Sequence, residues 1–286
     1  MSAAASGFTC LVGACAGLVL ASLPSTAAAQ DFEHQVVERV NLERWQRGQL
    51  PPLKAQSALR TAAWNHSQAM GVRNFFAHCD LDTGSLPWDR MIAAGYHYHQ
   101  AAENIAAGQA SPAAVVASWL ASPGHLANIL SPNSREIGVG YYLDAADQPH
   151  VRVDSNGDCV ADGGLVGPYR HYWTQKFGRR NDVFPVVIAR EAWQVDECLI
   201  DIHLYGQGWA QHYRLSNDGQ DWSAWQPFAS DVLWPLAGNA GGTASVHAQI
   251  RNGAGQVRSA QDSVRLAIDC AAGLPDLIFA NGFQQP

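Results

Sequence analysis

Charge is scarce in this chain. Of 286 residues, 15% are Asp, Glu, Lys or Arg, and residues 1–30 hold no charged side chain at all. Lys and Arg nowhere cluster among aromatics, and with a formal net charge of −7 the sequence carries no footprint for nucleic acid or an anionic lipid surface. Two catalytic signatures are also missing: there is no Gly-x-Ser-x-Gly elbow for a serine hydrolase and no His-Glu-x-x-His helix for a zinc peptidase. A hydrophobic share of 47% excludes a disordered chain, and the length accommodates two ordinary domains, each with its own core.

The uncharged start reads as a secretion signal. The apolar run from Phe8 to Leu23 is shorter than a bilayer span, stops at Pro24, and leads into Ser25-Thr26-Ala27-Ala28-Ala29. Small residues there suit a signal peptidase, so residues 1–29 are expected to be removed and the mature chain to begin at Gln30. It departs from the usual signal in lacking a basic residue ahead of the run. Val12-Gly13-Ala14-Cys15 is a rival lipid-attachment box, but the apolar Gly17-Leu18-Val19-Leu20 would then follow the modified cysteine directly. Removal of the signal takes Cys10 and Cys15 with it. Cys79, Cys159, Cys198 and Cys270 remain, an even set that a secreted chain is expected to pair. The mature chain has no transmembrane segment and is placed outside the cytoplasm: extracellular, periplasmic or on the cell surface.

Residues 31–180 mix helical periodicity with later strands. Phe32, Val36, Val37 and Val40 recur at helical spacing, with Gly48 just past the helix end; Leu59, Ala62, Ala63, His66 and Met70 repeat the pattern. Ser111-Pro112 reads as an N-cap followed by proline at the first helical position, which predicts a helix over 113–120. Alternation then marks a strand through Ile137, Val139, Tyr141 and Leu143, and another from His171 to Phe177 with Trp173 and Phe177 on one face. The ordering predicts an α/β fold, helices packed around a small sheet.

Past Arg180 the helical signal stops. Cys198, Ile200, Ile202 and Leu204 alternate with polar partners, as do Val246, Ala248 and Ile250, and then Val264, Leu266, Ile268 and Cys270; Asn217-Asp218-Gly219 and Asn252-Gly253 supply turns. An all-β sandwich over 183–271 is expected, followed by a tail over 272–286. Cys198 and Cys270 both fall on the apolar phase of that sandwich, so they are expected to pair, leaving Cys79 to Cys159.

Three local phrases carry chemistry: Asn74-Phe75-Phe76-Ala77-His78, Ala102-Glu103-Asn104-Ile105-Ala106 and Ser122-Pro123-Gly124-His125-Leu126-Ala127-Asn128-Ile129-Leu130. Two imidazoles and a carboxylate drawn from three elements suit divalent-metal binding or acid–base work, since histidine alone changes charge near neutral pH unaided. A second, weaker candidate is Asp154-Ser155-Asn156-Gly157-Asp158-Cys159-Val160-Ala161-Asp162. Asp154, Asn156, Asp158 and Asp162 occupy four oxygen positions of a calcium loop, but Cys159 stands where glycine is usual and Leu165 where a bidentate glutamate belongs. His78-Cys79 is no thiol-protease signature, because an oxidised cysteine is not a nucleophile.

These phrases, with Asn41-Leu42-Glu43-Arg44, Gly95-Tyr96, Ala117-Ser118-Trp119-Leu120-Ala121-Ser122, Ile137-Gly138-Val139-Gly140 and Tyr172-Trp173-Thr174-Gln175-Lys176-Phe177-Gly178, resemble the CAP superfamily. That group comprises cysteine-rich secretory, antigen-five and pathogenesis-related class-one proteins, also called SCP-like extracellular domains, and the match is closest to the bacterial branch. The resemblance covers nearly all of 31–180. It implies an α-β-α sandwich with a cleft holding two histidines and two acids. His78, Glu103 and His125 match three of those positions; Asp80, Asp82 and Glu136 are candidates for the fourth, with Asp82 favoured because it follows His78 closely. Residues 183–271 resemble immunoglobulin-like modules appended to bacterial surface proteins, through Tyr213-Arg214-Leu215-Ser216-Asn217-Asp218-Gly219, Trp222-Ser223-Ala224-Trp225 and Asn252-Gly253-Ala254-Gly255. Its aromatics read as core and edge packing ahead of a carbohydrate platform.

The resulting expectation is a secreted bacterial CAP-domain protein that binds rather than catalyses. Its cleft would hold zinc through His78 and His125, and calcium at the 154–162 loop is the lesser possibility. The alternatives are a metal-assisted, protease-like hydrolase and a lipid or sterol binding module. Lipid, glycan and a cell-surface protein are the partner classes left open, and nucleic acid is excluded.

Overall fold

A computed structural model describes residues 26–163 and 166–270, with side chains from residue 32 onward. The expected signal, except residues 26–29, therefore lies outside the described residues, as do Cys10, Cys15, Leu165 and the expected tail. The chain runs α1 (Thr26–Gly48), β1 (Lys54–Ala55), α2 (Ser57–Val72), β2 (Phe75–Phe76), α3 (Pro87–Ala93), β3 (Gln100–Ala107), α4 (Pro112–Leu120), α5 (Pro123–Ile129), β4 (Glu136–Leu143), β5 (Arg152–Val153) and β6 (His171–Arg179). The helices read from periodicity are α1 and α2, the one read from its Ser111-Pro112 cap is α4, and the two strands are β4 and β6. Ser111 caps α4 as expected, its hydroxyl accepting from the Ala114 amide at 3.2 Å. Gly48 is instead the last residue of α1; Gln49 takes the left-handed position beyond it, with φ of 49°.

One four-stranded sheet, in the order β1-β4-β6-β3, forms the middle layer, antiparallel except where β1 joins β4. Alternation along β4 and β6 sends Ile137, Val139, Tyr141, Trp173 and Phe177 into a core with Val36, Val37, Val40, Val115, Val116 and Trp119 of α1 and α4. The opposite face receives α2, and glycine makes that contact possible. A Cβ on Gly138 would sit 2.2 Å from the backbone of Leu59 and Arg60, and one on Gly140 would sit 2.1 Å from the Trp64 amide. The result is the α-β-α sandwich, with β3 as one edge strand of the sheet.

Beyond Arg180 the elements are β7 (Val186–Ile188), β8 (Gln194–Val195), β9 (Leu199–Leu204), β10 (His212–Ser216), β11 (Gln226–Pro227), β12 (Asp231–Pro235), β13 (Thr243–Arg251) and β14 (Val257–Leu266). Two sheets, β11-β10-β13-β14-β8 and β12-β9-β7, enclose a core that includes Ile188, Ile202, Leu204, Leu215, Trp234, Val246, Val264 and Leu266. The first strand divides between the sheets: β7 pairs antiparallel with β9, and β8 runs parallel to β14. That arrangement is the immunoglobulin-like sandwich. Alternation misleads at two places. Ile268 lies beyond the end of β14 and is exposed, and His203, on the polar phase of β9, is buried against Asp231 at 2.8 Å.

Both disulfides, Cys79–Cys159 and Cys198–Cys270, are present as read from the sequence. Each of the hydrophobic cores draws its residues from one side of Arg180 only. Polar contacts nonetheless cross that point: Asn41 donates to the Arg190 carbonyl, Tyr205 to the Pro52 carbonyl, and Lys54 pairs with Glu191 and Asp262.

Candidate functional site

The three sequence phrases meet at the β3 edge. Antiparallel register sets Glu103 directly opposite Lys176 on the neighbouring strand, and the Lys176 ammonium donates to Glu103 Oε2 and to the Pro87 carbonyl. Arg90, from α3, donates to Glu103 Oε2 at 3.1 Å and to the His78 carbonyl at 2.7 Å. The His78 ring then closes the group, its Nδ1 lying 2.8 Å from Glu103 Oε1. One buried carboxylate is thus held from three directions, while the His78 side chain remains 51% exposed.

Burial raises the Glu103 pKa, but the Lys176 charge, the His78 hydrogen bond and the Arg90 charge outweigh it and hold the carboxyl well below the usual range. It is therefore an anion at any physiological pH. Its charge is already matched by two cations, so its remaining role is to orient His78. With Nδ1 facing a carboxylate, neutral His78 carries its proton on that nitrogen and presents Nε2 outward as a lone pair.

His125 reaches the site from the opposite layer, on α5. Two asparagines fasten that helix to β3: Asn104 Nδ2 donates to the His125 carbonyl at 3.1 Å, and Asn128 Nδ2 donates to the Glu103 carbonyl at 3.3 Å and to Asn104 Oδ1 at 2.8 Å. Edge-strand groups left without a neighbouring strand are satisfied in this way. Burial lowers the His125 pKa, and the nearby His78 charge lowers it further, so its imidazole is neutral at pH 7. His66 supports the other side. Fully buried on α2, it meets the Ala77 carbonyl at 2.9 Å, and burial pushes its pKa down to about 3.

The side chains of the three candidate acids pair elsewhere. Asp82 pairs with Arg152 at 2.8 Å on the surface; Asp80 caps its own turn, accepting from the Asp82 and Thr83 amides, and binds Arg73 at 2.6 Å. Glu136 lies on β4, two strands from β3, bound by Tyr96 and Arg180. The charged side chains that do contact Glu103 are the cations Arg90 and Lys176. Among the described residues, no three His, Cys, Asp or Glu side chains converge to hold a metal ion. In the 154–162 loop the oxygens face the loop's own donors: Asp154 accepts from the Asn156, Gly157 and Cys159 amides, and Asp162 from Ser155 and Asn156.

Sequence reading missed Lys176, Arg90, Asn104, Asn128 and His66. Three of these sit inside phrases already singled out, and the cross-strand position of Lys176 follows only from the β3–β6 register.

With this geometry in place, comparison with known proteins defines the class. Residues 37–177 match the family described as CAP: Cysteine-rich secretory protein family, and that segment of the chain belongs to it. The protein YkwD of Bacillus subtilis (strain 168), itself uncharacterized, is 45% identical over 120 residues, which is 42% of this chain and 45% of that protein. The uncharacterized membrane protein YlbC of the same organism is 33% identical over 108 residues, 38% of this chain and 31% of its own length. The chain thus spans less than half the length of these curated relatives. Among solved structures, an extracellular protein containing a SCP domain from Bacillus anthracis str. Ames aligns with 23% identity and a TM-score of 0.40, over 56% of this chain and 45% of that one.

Proposed function

We propose that this is a secreted CAP-domain protein whose cleft binds a divalent ion, zinc by its donor chemistry, through His78 Nε2 and His125. The observation that carries the reading is the 2.8 Å contact between His78 Nδ1 and Glu103 Oε1. A metal-ligating histidine characteristically gives its other ring nitrogen to a carboxylate, which fixes tautomer and direction. Neutral His125 fits the second ligand position. Two protein ligands leave the remaining positions to water or a bound partner, so the site is open and its affinity modest. The two disulfides belong to an oxidising compartment, which supports secretion. Among the described residues no helix is long and apolar enough to cross a membrane.

Calorimetric zinc titration of the mature protein tests this. Binding is expected to fall at least about tenfold in His78→Ala and in His125→Ala, and to weaken as pH drops below about 6.5. Undiminished binding in the double variant would overturn it.

The same His78–Glu103 contact favours one second reading, a hydrolase in which His78 takes a proton from water. Casein hydrolysis that survives purification and vanishes in His78→Ala would support it; hydrolysis insensitive to that substitution would refute it.

A further inference from the structure

We propose a second binding site, for a neutral carbohydrate, on the outer face of the larger sheet of the β-sandwich. A cavity of about 410 Å³ opens there, lined by Trp222, His247, Gln249, Ser259 and Gln261, with Gly219 at its rim. That volume falls within the range of small-ligand sites, about 300–1,000 Å³.

The lining is built on strand register. Gln249 of β13 faces Ser259 of β14, and His247 faces Gln261 one step along the same pair. These residues alternate with the core-facing Ala248 and Ile250, so their side chains stand together on the outward face. The loop after β10 folds across them to form the wall. Gly219 makes that approach feasible: its φ is +74°, and a Cβ there would come within 3.3 Å of His247 Nδ1.

The wall is rigid because Trp222 is held on two sides. Its Nε1 donates to the Gly219 carbonyl at 3.1 Å, and the Arg214 guanidinium lies 4.8 Å from its ring. Arg214 also lies 4.7 Å from the Trp225 ring, over which Arg251 stacks in turn at 4.4 Å. Gln249 Oε1 locks the same guanidinium, accepting from Nε at 2.9 Å and from Nη2 at 2.6 Å. With its oxygen committed, Gln249 has its amide N–H groups left to donate.

The chemistry of the lining selects the ligand. No carboxylate, ammonium or guanidinium is among the lining side chains, and the adjacent Arg214 guanidinium is already engaged by Gln249 and the Trp222 ring. The lining supplies an indole ring, two primary amides, an imidazole and a hydroxyl, which together offer donors and acceptors around one apolar surface. Among the described residues, the side chains of His247, Ser259 and Gln261 make no hydrogen bond within the protein. A pyranose is the neutral molecule that presents a C–H face to stack on an aromatic ring and a rim of hydroxyls that both donate and accept.

The test uses the mature full-length protein and three neutral hexasaccharides: β-1,4-linked glucose, β-1,4-linked N-acetylglucosamine and α-1,4-linked glucose. Polygalacturonate serves as the charged control. Saturable binding of at least one hexasaccharide is expected by calorimetry, insensitive to added salt and accompanied by a change in tryptophan fluorescence. Trp222→Ala should weaken it by about tenfold or more, and Gln261→Ala and His247→Ala by about threefold to tenfold each. Among the described residues neither of the last two side chains makes a hydrogen bond, so they keep the test valid should Trp222→Ala unfold the loop. Failure of all three hexasaccharides to bind, salt-sensitive binding of polygalacturonate alone, or hexasaccharide binding unchanged in Gln261→Ala and His247→Ala would each overturn the proposal.

Discussion

Lys54 Nζ lies 2.6 Å from Glu191 Oε1, across 137 residues of sequence, and the same ammonium reaches Asp262 on β14. The lysine comes from β1 of the CAP segment and both carboxylates from the β-sandwich. Glu191 is delivered by an unusual turn: Ala189, Arg190 and Glu191 all have left-handed backbone, with φ of 45°, 57° and 66°. Such conformations cost an L-residue on the order of 1 kcal/mol each. Contacts with α1 offset that cost, since Asn41 donates to the Arg190 carbonyl, the Arg190 guanidinium lies 4.0 Å from the Trp45 ring, and Glu38 accepts from the Trp193 amide.

Lys54→Met should therefore be strongly destabilising. The Glu191 and Asp262 side chains are only 7% and 6% exposed; without their shared cation Glu191, whose pKa burial and Asp262 already raise, takes up a proton at pH 7, and Asp262 is left buried with no cation. A loss of about 3–5 kcal/mol is expected, read as a lower midpoint in urea unfolding at pH 7. A loss under about 1 kcal/mol would show that the pair is solvated.

Stability should depend on pH through Glu191. Burial first, then the neighbouring Asp262 charge, raises its pKa from 4.5 to about 7, with Lys54 opposing. The native state then binds this proton more tightly than the unfolded chain, so stability from this group is full below about 4.5 and is lost as pH rises through about 7. His66 acts in the opposite sense, its buried neutral ring costing stability as pH falls from 6.5 towards about 3. The measurement is therefore a difference: between pH 5 and pH 8, wild type should lose stability relative to Glu191→Gln, at up to about 1.4 kcal/mol per pH unit. Parallel profiles for the two proteins would refute the assignment.

Glu103→Gln should harm both fold and site. Lys176 and Arg90 would share no anion, and a loss of about 3–5 kcal/mol is expected. His78→Ala, at an exposed ring, should cost less than about 1 kcal/mol. Comparing the two by thermal unfolding separates the carboxylate that organises the site from the imidazole that faces outward. Equal losses would contradict that division.

Gly138→Ala should be among the most damaging small substitutions. Its Cβ would lie 2.2 Å from the α2 backbone, and neither β4 nor α2 can retreat without opening the core. Destabilisation of about 3 kcal/mol or more is expected in urea unfolding. Gly124→Ala, which meets nothing within 4 Å, serves as the control.

Much of the fold is legible locally. Helical spacing of Phe32, Val36, Val37 and Val40, the Ser111-Pro112 cap and the alternation through Ile137, Val139 and Tyr141 each mark an element, because burial of one face imposes a period on sequence. The short elements α3, α5 and β3 escaped that reading. α3 and α5 are each seven residues long, too short to show a repeat. The alternation of β3 is blurred because Glu103, Asn104, Ile105 and Ala106 are all buried.

The sequence by itself pointed to the family, to both cysteine pairings and to the three phrases that meet at the β3 edge, since each rests on a local phrase, a composition shift or a count. Tertiary structure alone decided what those residues can do. Strand register sets Lys176 opposite Glu103, α3 brings Arg90 to the same carboxylate, and sandwich packing turns Glu191 and Asp262 onto Lys54. Each of these charges is specified by a partner 13 to 208 residues away, and the free energy of burying an ion depends on that partner and not on its neighbours in the chain.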